Sequence, residues 1–215
     1  MERHLPLCLV TDREACKGRE LEWVVRQAVL GGVTMVQLRE KSLSTRKFIE
    51  LALLLKGMLK PLNVPLVIND RVDVALAVDA DGVHVGQSDM PIPLLHQLLP
   101  KGKIIGLSAE TEADVLEANA FELTYLAVSP LYATASKTDT APPWGLQGLA
   151  WVKAHSKHPL LVIGGVDPPT ATQCASLGAS GVAVISAICS AQSPKEAAES
   201  LMVALDKGIE ARKLN

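Results

Sequence analysis

Two hydroxyl groups and one ammonium group lie close together in the segment Ala127–Asp139. An apolar run ends there at Ser129-Pro130, and Thr134, Ser136 and Lys137 follow it. Hydroxyl groups donate hydrogen bonds to phosphate oxygens, and a lysine adds a compact positive charge. By itself this pattern fits a phosphate-binding loop and an ordinary polar surface loop equally well. Similar polar clusters, however, follow nearly every other apolar run in the chain.

A second cluster contains Gln37, Arg39 and Lys41, which alternate along the chain. In extended geometry alternate residues share one face of a strand, and the apolar Met35 precedes them on that face. The change from Met35 to three polar groups indicates a strand that leaves a core and enters a site. Arg39 and Lys41 together suit a polyanion such as a diphosphate. The alternative is a solvated strand end.

A third cluster contains carboxylates. Asn69-Asp70 and Asp89 follow neighbouring apolar runs. Carboxylate oxygens suit Mg²⁺, which keeps several waters and bridges to phosphates. General acid–base chemistry is the alternative use of such a pair, and a purely structural role is capping of the helices that follow. The nearby cations favour a metal–diphosphate site.

The elements that position these clusters are eight apolar runs separated by helix-like patterns. Near-continuous runs of Val, Ile and Leu are typical of parallel strands buried on both faces. The predicted strands are Leu5–Val10, Val33–Leu38, Leu66–Ile68, Gly82–Val85, Ile104–Leu107, Leu123–Val128, Leu160–Ile163 and Val182–Ile185.

The intervening segments are predicted helices. Leu21, Val24, Val25 and Ala28 recur at helical spacing, and Ser193-Pro194 is typical of a helix start. Eight strand-then-helix units predict an α/β fold, a (β/α)8 TIM barrel forming one domain over residues 1–215. A doubly wound sheet is the alternative, but it needs fewer strands, and no GxGxxG follows the first strand.

In such a barrel the residues after each strand line one mouth, where the chemistry of these enzymes occurs. Gly164-Gly165 and Ile185-Ser186 then fit the phosphate site common at strands 7 and 8. The mouth is therefore expected to hold two anionic sites, one for a metal-bound diphosphate and one for a monophosphate. A reaction that joins a diphosphate ester to a phosphorylated acceptor would use both.

The composition argues against several classes of binding partner. The net charge is −2 and aromatic residues make up 3% of the chain, which argues against nucleic acid and anionic membranes as partners. No apolar run approaches the length of a membrane span, and the first residues lack the apolar region of a signal peptide. We expect a soluble cytoplasmic protein acting on small molecules; its oligomeric state is not determined by the sequence.

Several motifs in combination resemble the thiamine-phosphate synthase (thiamine-phosphate pyrophosphorylase) family, and the resemblance runs from the first strand to the last helix. The matching motifs are QLREK, IND at Ile68–Asp70, GVHVGQSDMP at Gly82–Pro91, GLS at Gly106–Ser108, SPLYATASKTD, IGGV and GVAVISAI.

The resemblance implies a (β/α)8 barrel that joins 4-amino-2-methyl-5-pyrimidinylmethyl diphosphate to a thiazole phosphate, with Mg²⁺ as cofactor. It assigns the pyrimidine diphosphate to Gln37, Leu38, Arg39, Glu40, Lys41, Asn69, Ser108 and Lys137. It assigns the thiazole phosphate to Thr134, Ala135, Ser136, Gly165, Ile185 and Ser186. It assigns Mg²⁺ to Asp70 and Asp89.

The family's reaction is held to be dissociative, so diphosphate leaves before the thiazole nitrogen attacks. Arg39 and Lys137 would be the catalytic residues, stabilising charge on the leaving diphosphate together with Mg²⁺. The chain departs from the family's Pro-Thr-x-Thr-Lys loop at Ala133 and Ser136. The hydroxyl is kept, so phosphate contact is expected to survive.

Three rival functions remain open. A thiazole tautomerase on the same fold resembles Ser-Val-His after strand 5, but this chain has Ser108-Ala109-Glu110. A phosphosugar isomerase would explain the glycines but not the charged clusters, and a non-catalytic sensor would typically have lost those charges.

Two further residues are ambiguous: His84 is predicted to be a core or supporting histidine, and Trp144 either closes over a substrate or anchors its loop.

Overall fold

The computed structural model describes residues 5–133 and 142–214. Eight parallel strands close into a barrel in the order β1 to β8, each strand pairing with its neighbours in the chain and β8 pairing with β1. The strands are β1 (Leu7–Val10), β2 (Met35–Leu38), β3 (Leu66–Asn69), β4 (Gly82–Val85), β5 (Ile104–Ala109), β6 (Tyr125–Val128), β7 (Leu160–Ile163) and β8 (Gly181–Val184). The predicted (β/α)8 barrel is confirmed.

Nine α-helices and two 3₁₀ helices occur in the described residues. The 3₁₀ helices are Glu14–Cys16 and Lys60–Leu62. The α-helices are α1 (Leu21–Leu30), α2 (Thr45–Leu59), α3 (Val72–Ala77), α4 (Ile92–Leu98), α5 (Glu112–Ala118), α6 (Gly145–His155), α7 (Pro168–Ser176), α8 (Ser186–Cys189) and α9 (Pro194–Lys213). No helix in these ranges is both long and apolar enough to cross a membrane.

The strands are buried on both faces, which explains their near-continuous apolar sequences. One face of each strand packs under the helices, where most of the core lies. The other face fills the interior of the barrel with a separate cluster of mostly apolar side chains. The interior cluster consists of Leu5, Cys8, Val10, Met35, Val67, Ile104, Tyr125, Ala127, Leu161 and Ala183.

Helix starts follow the capping chemistry of the sequence. Asp167 accepts a hydrogen bond from the Thr170 amide at 2.9 Å, and Ser193 accepts one from the Glu196 amide at 3.4 Å. Both helices have proline in their first turn, where its missing N–H costs no hydrogen bond. The predicted start at Ser193-Pro194 is therefore confirmed.

The predicted strand ends differ from the observed ones by up to two residues. The first, second and sixth strands each begin two residues later than expected, because the preceding residues belong to the connections. Thr34, for example, donates its amide to the Leu7 carbonyl at 2.9 Å, just before β2 begins. The fifth strand is two residues longer, which places Ser108 within β5.

Two glycines in helices have opposite surroundings. A Cβ at Gly208 in α9 would collide with the Thr172 carbonyl and lie 2.7 Å from the Ala175 Cβ, both in α7. A Cβ at Gly57 in α2 would have no other atom within 4 Å. The close contact of α7 with α9 thus depends on the missing side chain at Gly208.

We therefore expect opposite effects from one substitution type at these positions. Gly57→Ala should raise the free energy of unfolding by about 0.5–1 kcal/mol, because alanine restricts the unfolded chain and favours the helix. Gly208→Ala should lower it by about 1–3 kcal/mol, because the methyl group overpacks the contact. Urea unfolding measures both, and equal stabilisation by the two variants would contradict the tight α7–α9 contact.

Candidate active site

A cavity of about 830 Å³ opens at the carboxyl ends of the barrel strands. Its walls come from residues in or directly after β1 to β8, as expected for the mouth of such a barrel. Ten of the predicted site residues line it: Gln37, Arg39, Lys41, Asn69, Asp70, Asp89, Ser108, Gly165, Ile185 and Ser186. The structure thus brings together residues that are up to 149 positions apart in the chain.

The end of β2 supplies the cations on one side. Thr11, fully buried after β1, accepts a hydrogen bond from the Arg39 amide at 3.0 Å through Oγ1. Its own amide donates to the Gln37 carbonyl at 2.9 Å. These bonds continue the pairing of β1 with β2 beyond the last residue of β2. They hold the Arg39 main chain at the cavity wall, where its guanidinium lies 3.8 Å from the Asp12 carboxylate.

Two residues in the same predicted segment do not line the cavity. Leu38 is fully buried in the core beneath the helices. The Glu40 carboxylate accepts a hydrogen bond from Arg13 Nε at 2.8 Å, and its side chain is 4% exposed. Because successive residues of a strand point to opposite faces, the side chains of Leu38 and Glu40 turn away from the face of Gln37, Arg39 and Lys41.

Asp70 lies in a turn directly after β3. Its φ of 61° is in the left-handed region, which aspartate tolerates better than most residues. The turn is held by the Asp70 amide, which donates to the His84 carbonyl of β4 at 2.8 Å. The Asp70 carboxylate accepts a hydrogen bond from Lys41 Nζ at 3.1 Å. The carboxylate is thereby joined to the cationic side of the cavity.

Asp89 closes a short turn after β4, where its carboxylate accepts the Gly86 amide at 2.7 Å. Burial raises the pKa of Asp89, and the neighbouring carboxylate of Asp70 raises it further. The structural role considered for the two aspartates, helix capping, is wrong. The residues at the cap positions of α3 and α4 are Arg71 and Pro91, and neither helix has a side-chain cap.

The pair Asp70 and Asp89 fits a divalent cation. Two carboxylates in contact repel each other, and a bound cation would remove that repulsion. No group of three or more His, Cys, Asp or Glu side chains that could hold a metal occurs in the described ranges. Mg²⁺ does not need such a group, because it commonly binds one or two carboxylates together with waters and substrate phosphates.

The floor of the cavity carries a polar network. His84 is buried in β4, and its Nε2 lies 2.9 Å from Ser108 Oγ of β5. Its Nδ1 lies 2.9 Å from the hydroxyl of Tyr125 in β6. His84 also lines the cavity, so it is both a buried histidine with partners and a residue of the site. Sequence reasoning missed Tyr125; a phenol within an otherwise apolar strand was the available indication.

The opposite side of the cavity is built from glycines and a short helix. Gly164 and Gly165 have φ values of 107° and 66°, which glycine adopts without strain. They pack against the beginning of the β6–α6 loop, where the Tyr132 amide donates to the Gly164 carbonyl at 3.1 Å. Ile185 occupies the N-cap position of α8 and Ser186 is the first residue of that helix; both line the same cavity. The carbonyl of Ala191, just beyond α8, accepts a hydrogen bond from Arg19 Nη1 at 2.6 Å, which ties this segment to the β1–α1 connection.

The predicted phosphate-binding residues Thr134, Ala135, Ser136 and Lys137 lie outside the described residues. The two ends of their loop are described. Trp144 occupies the N-cap position directly before α6, donates its indole N–H to the Ala109 carbonyl at 3.3 Å and stacks on Trp151. These contacts favour the interpretation of Trp144 as an anchor of the loop.

The closed barrel with its cavity at the strand carboxyl ends defines a class of proteins, the (β/α)8-barrel enzymes. The 3-hexulose-6-phosphate synthase of Salmonella typhimurium has the same fold, with a TM-score of 0.71 over 95% of this chain and 100% of that one. The two sequences are only 19% identical, so this likeness concerns the fold alone.

The family follows from closer matches. A family model described as thiamine monophosphate synthase matches residues 7–188. The thiamine-phosphate synthase of Albidiferax ferrireducens is 52% identical over 202 residues, which cover 94% of this chain and 92% of that protein. The structure of thiamine phosphate pyrophosphorylase from Pyrococcus furiosus is 34% identical, with a TM-score of 0.88 over 97% and 98% of the two chains.

The chain belongs to the thiamine monophosphate synthase family. The resemblance found in the sequence motifs is thereby confirmed, and so is the prediction of an enzyme, a transferase of thiamine biosynthesis.

The hydrogen bond from the Arg39 amide to Thr11 Oγ1 can be tested by substitutions of Thr11. Thr11→Val keeps the shape of the side chain but leaves the Arg39 amide without its acceptor, so it should lower the free energy of unfolding by about 1–3 kcal/mol. Thr11→Ser keeps the hydroxyl group and loses one methyl group, which should cost about 1 kcal/mol. Urea unfolding compares the two variants. A serine variant less stable than the valine variant would show that packing, rather than hydrogen bonding, holds this position.

Proposed function

We propose that this enzyme joins 4-amino-2-methyl-5-pyrimidinylmethyl diphosphate to 4-methyl-5-(2-phosphooxyethyl)thiazole and releases thiamine phosphate and pyrophosphate, with Mg²⁺ as cofactor. The observation that carries the proposal is the division of one cavity into two unlike halves. Charged side chains from β2, β3 and β4 form one half, and Gly165, Ile185 and Ser186 from β7 and β8 form the other. A reaction with one diphosphate and one monophosphate substrate requires two such halves in one cavity.

The charged half suits the diphosphate. Arg39 presents a fork of donors that matches phosphate oxygens, and Lys41 adds a second cation beside Asp70. Asp70 and Asp89 would hold Mg²⁺, which supplies positive charge to the diphosphate oxygens. Lys137, on the loop after β6, is proposed to contact the same diphosphate.

Negative charge develops on the diphosphate as its bond to the pyrimidine methylene carbon breaks. Arg39, and with it Lys137, would stabilise that charge and so accelerate a dissociative reaction. The thiazole nitrogen is itself the nucleophile, so the protein needs no strong base. The part of the cavity wall formed by Val10, Leu161 and Ile163 is apolar, which disfavours water as a competing nucleophile.

The other half suits the thiazole phosphate. Gly165 places its backbone at the cavity wall without a side chain, and the Ser186 hydroxyl lies at the start of α8. Ile185 precedes Ser186 and adds apolar surface for the thiazole ring. Thr134, Ala135 and Ser136 are proposed to complete this phosphate site from the neighbouring loop.

The thiazole tautomerase reaction remains the main rival. That activity depends on a histidine after β5, and this chain has Glu110 at the corresponding position, at the cavity wall. The charged half of the cavity would also have no role in a reaction of the thiazole phosphate alone. Both differences favour the synthase reaction.

The direct test supplies both substrates to the purified protein, with Mg²⁺ or with EDTA, and measures thiamine phosphate after oxidation to fluorescent thiochrome. We expect product with Mg²⁺, none with EDTA, and full recovery when excess Mg²⁺ follows EDTA. Folded protein that yields no product with both substrates and Mg²⁺ would refute the proposal. An assay of thiazole isomerisation would then be the next measurement.

The two aspartates provide a second test. Asp70→Asn should lower kcat/KM by roughly 100-fold or more, because the amide cannot replace the charge toward Mg²⁺. Asparagine tolerates the left-handed conformation at this position, so the turn should survive, whereas alanine would add strain.

The matched control is Asp73→Asn, an exposed aspartate of α3 that pairs with Arg71 outside the cavity. It should retain activity close to that of the unmodified enzyme. Asp70→Asn with unchanged kcat/KM and unchanged Mg²⁺ dependence would remove Asp70 from the metal site. Binding of the thiazole phosphate, measured by calorimetry, should not change in either variant.

A further inference from the structure

Two members of the polar network beneath the cavity, His84 and Tyr125, have no role in the reaction described so far. Tyr125 is fully buried, Gln37 is 4% exposed and His84 is 7% exposed, all inside an otherwise apolar barrel. Buried polar groups are costly unless they are hydrogen-bonded, so a network of this kind at the base of a site calls for an explanation.

The barrel provides space for this network at Gly106. A Cβ at that position would overlap the Tyr125 ring and lie 2.6 Å from His84 Nδ1. Gly106 pairs in register with His84 on one side and with Tyr125 on the other. The missing side chain in β5 thus lets the residues of β4 and β6 meet across it.

The direction of the hydrogen bonds follows from the tyrosine. Burial raises the pKa of Tyr125 well above its ordinary value, so its hydroxyl keeps its one proton. Within the described residues, this hydroxyl has His84 Nδ1 at 2.9 Å and the Gln37 amide nitrogen at 3.5 Å as hydrogen-bond partners. An amide nitrogen only donates, so the phenol proton must go to Nδ1.

The protonation of the His84 imidazole then decides which partner donates in the hydrogen bond between His84 and Ser108. A neutral imidazole that accepts at Nδ1 carries its proton on Nε2, which lies 2.9 Å from Ser108 Oγ. Ser108 Oγ accepts the hydrogen bond from the Nε2–H group, so the hydroxyl proton of Ser108 can be donated to a ligand in the cavity. Ser108 therefore faces a ligand as a donor.

We propose that Tyr125 and His84 are positioning residues that orient the Ser108 hydroxyl as a donor to a ring nitrogen of the pyrimidine substrate. The assignment of the pyrimidine to Ser108 rests on the proposed function. A 4-aminopyrimidine presents an unprotonated ring nitrogen beside its amino group, whereas the 4-oxo analogue presents an N–H there. The network would thus favour the 4-aminopyrimidine over its 4-oxo analogue, because the Ser108 O–H group and the ring N–H group of the analogue are both donors and cannot form a hydrogen bond with each other.

The first test reads the histidine tautomer and needs no substrate. Long-range ¹H–¹⁵N correlation spectra at pH 8 report which ring nitrogen of each of the five histidines carries a proton. His155 Nδ1 and His158 Nε2 lie against the carbonyls of Trp151 and Ala118, which only accept, so these two rings provide internal references of opposite tautomer.

His84, assigned by the resonances lost in His84→Gln, should carry its proton on Nε2. Tyr125→Phe removes only the hydroxyl and should shift His84 toward a mixture of tautomers. A proton on Nδ1, or on both nitrogens, in the unmodified protein would overturn the proposal, whether or not the Tyr125 variant folds.

The second test concerns the substrate. Tyr125→Phe should lower kcat/KM for the pyrimidine diphosphate about 10-fold, with the KM for the thiazole phosphate unchanged. Ser108→Ala should have at least the same effect, and the double variant should be no worse than Ser108→Ala, because both changes remove one hydrogen bond. Additive losses would show that Tyr125 does not act through Ser108.

The 4-oxo analogue of the diphosphate is the third test. It should react at least about 100-fold more slowly than the amino substrate with the unmodified enzyme. Ser108→Ala should reduce the difference in rate between the amino substrate and the 4-oxo analogue. An unchanged ratio of the two rates would overturn the proposed preference for the 4-aminopyrimidine. Absence of any synthase activity would refute the proposed function instead, and the tautomer spectrum would still decide the direction of the network.

Discussion

Parallel pairing of all eight strands in a closed ring is the constraint on which the rest of the structure depends. Every strand enters at one end of the barrel and leaves at the other, so the residues that follow the strands meet at a single mouth. The main-chain hydrogen bonds of the barrel also continue beyond the strand ends. The Asp70 amide donates to the His84 carbonyl, and Thr11 holds Arg39. The site is therefore built on main chain that is hydrogen-bonded to the barrel strands.

The barrel interior changes in character along its axis. Leu5, Cys8, Met35 and Val67 belong to a cluster within the ring of strands, and Gln37, His84 and Tyr125 carry the polar groups at the base of the cavity. The charged residues Arg39, Lys41 and Asp70 lie at the open end. This order limits the cost of burial, because the charged groups remain in contact with the cavity. In residues 5–133 and 142–214, each buried side-chain nitrogen or oxygen also has a hydrogen-bond partner.

Much of the fold and of the site could be predicted from the sequence. Continuous apolar runs are enough to indicate parallel strands, since both faces of each strand are buried. Gln37, Arg39, Asp70 and Asp89 follow or end such runs, and the parallel order then places them at one mouth. The capping role considered for Asp70 and Asp89 was wrong, because their turns end before α3 and α4 begin. The side chains of Leu38 and Glu40 turn away from the cavity for a local reason, the alternation of the strand.

By itself, the sequence determined the element types, their order and the end of the barrel at which the polar residues gather, because these depend on local periodicity and on chain direction. Only the tertiary structure decided which side chains touch across the strands. Tyr125 meets His84 because Gly106 separates them in the register of β4, β5 and β6. That register arises from closure of the ring, in which each strand is fixed by both neighbours, so no single segment of the sequence contains it.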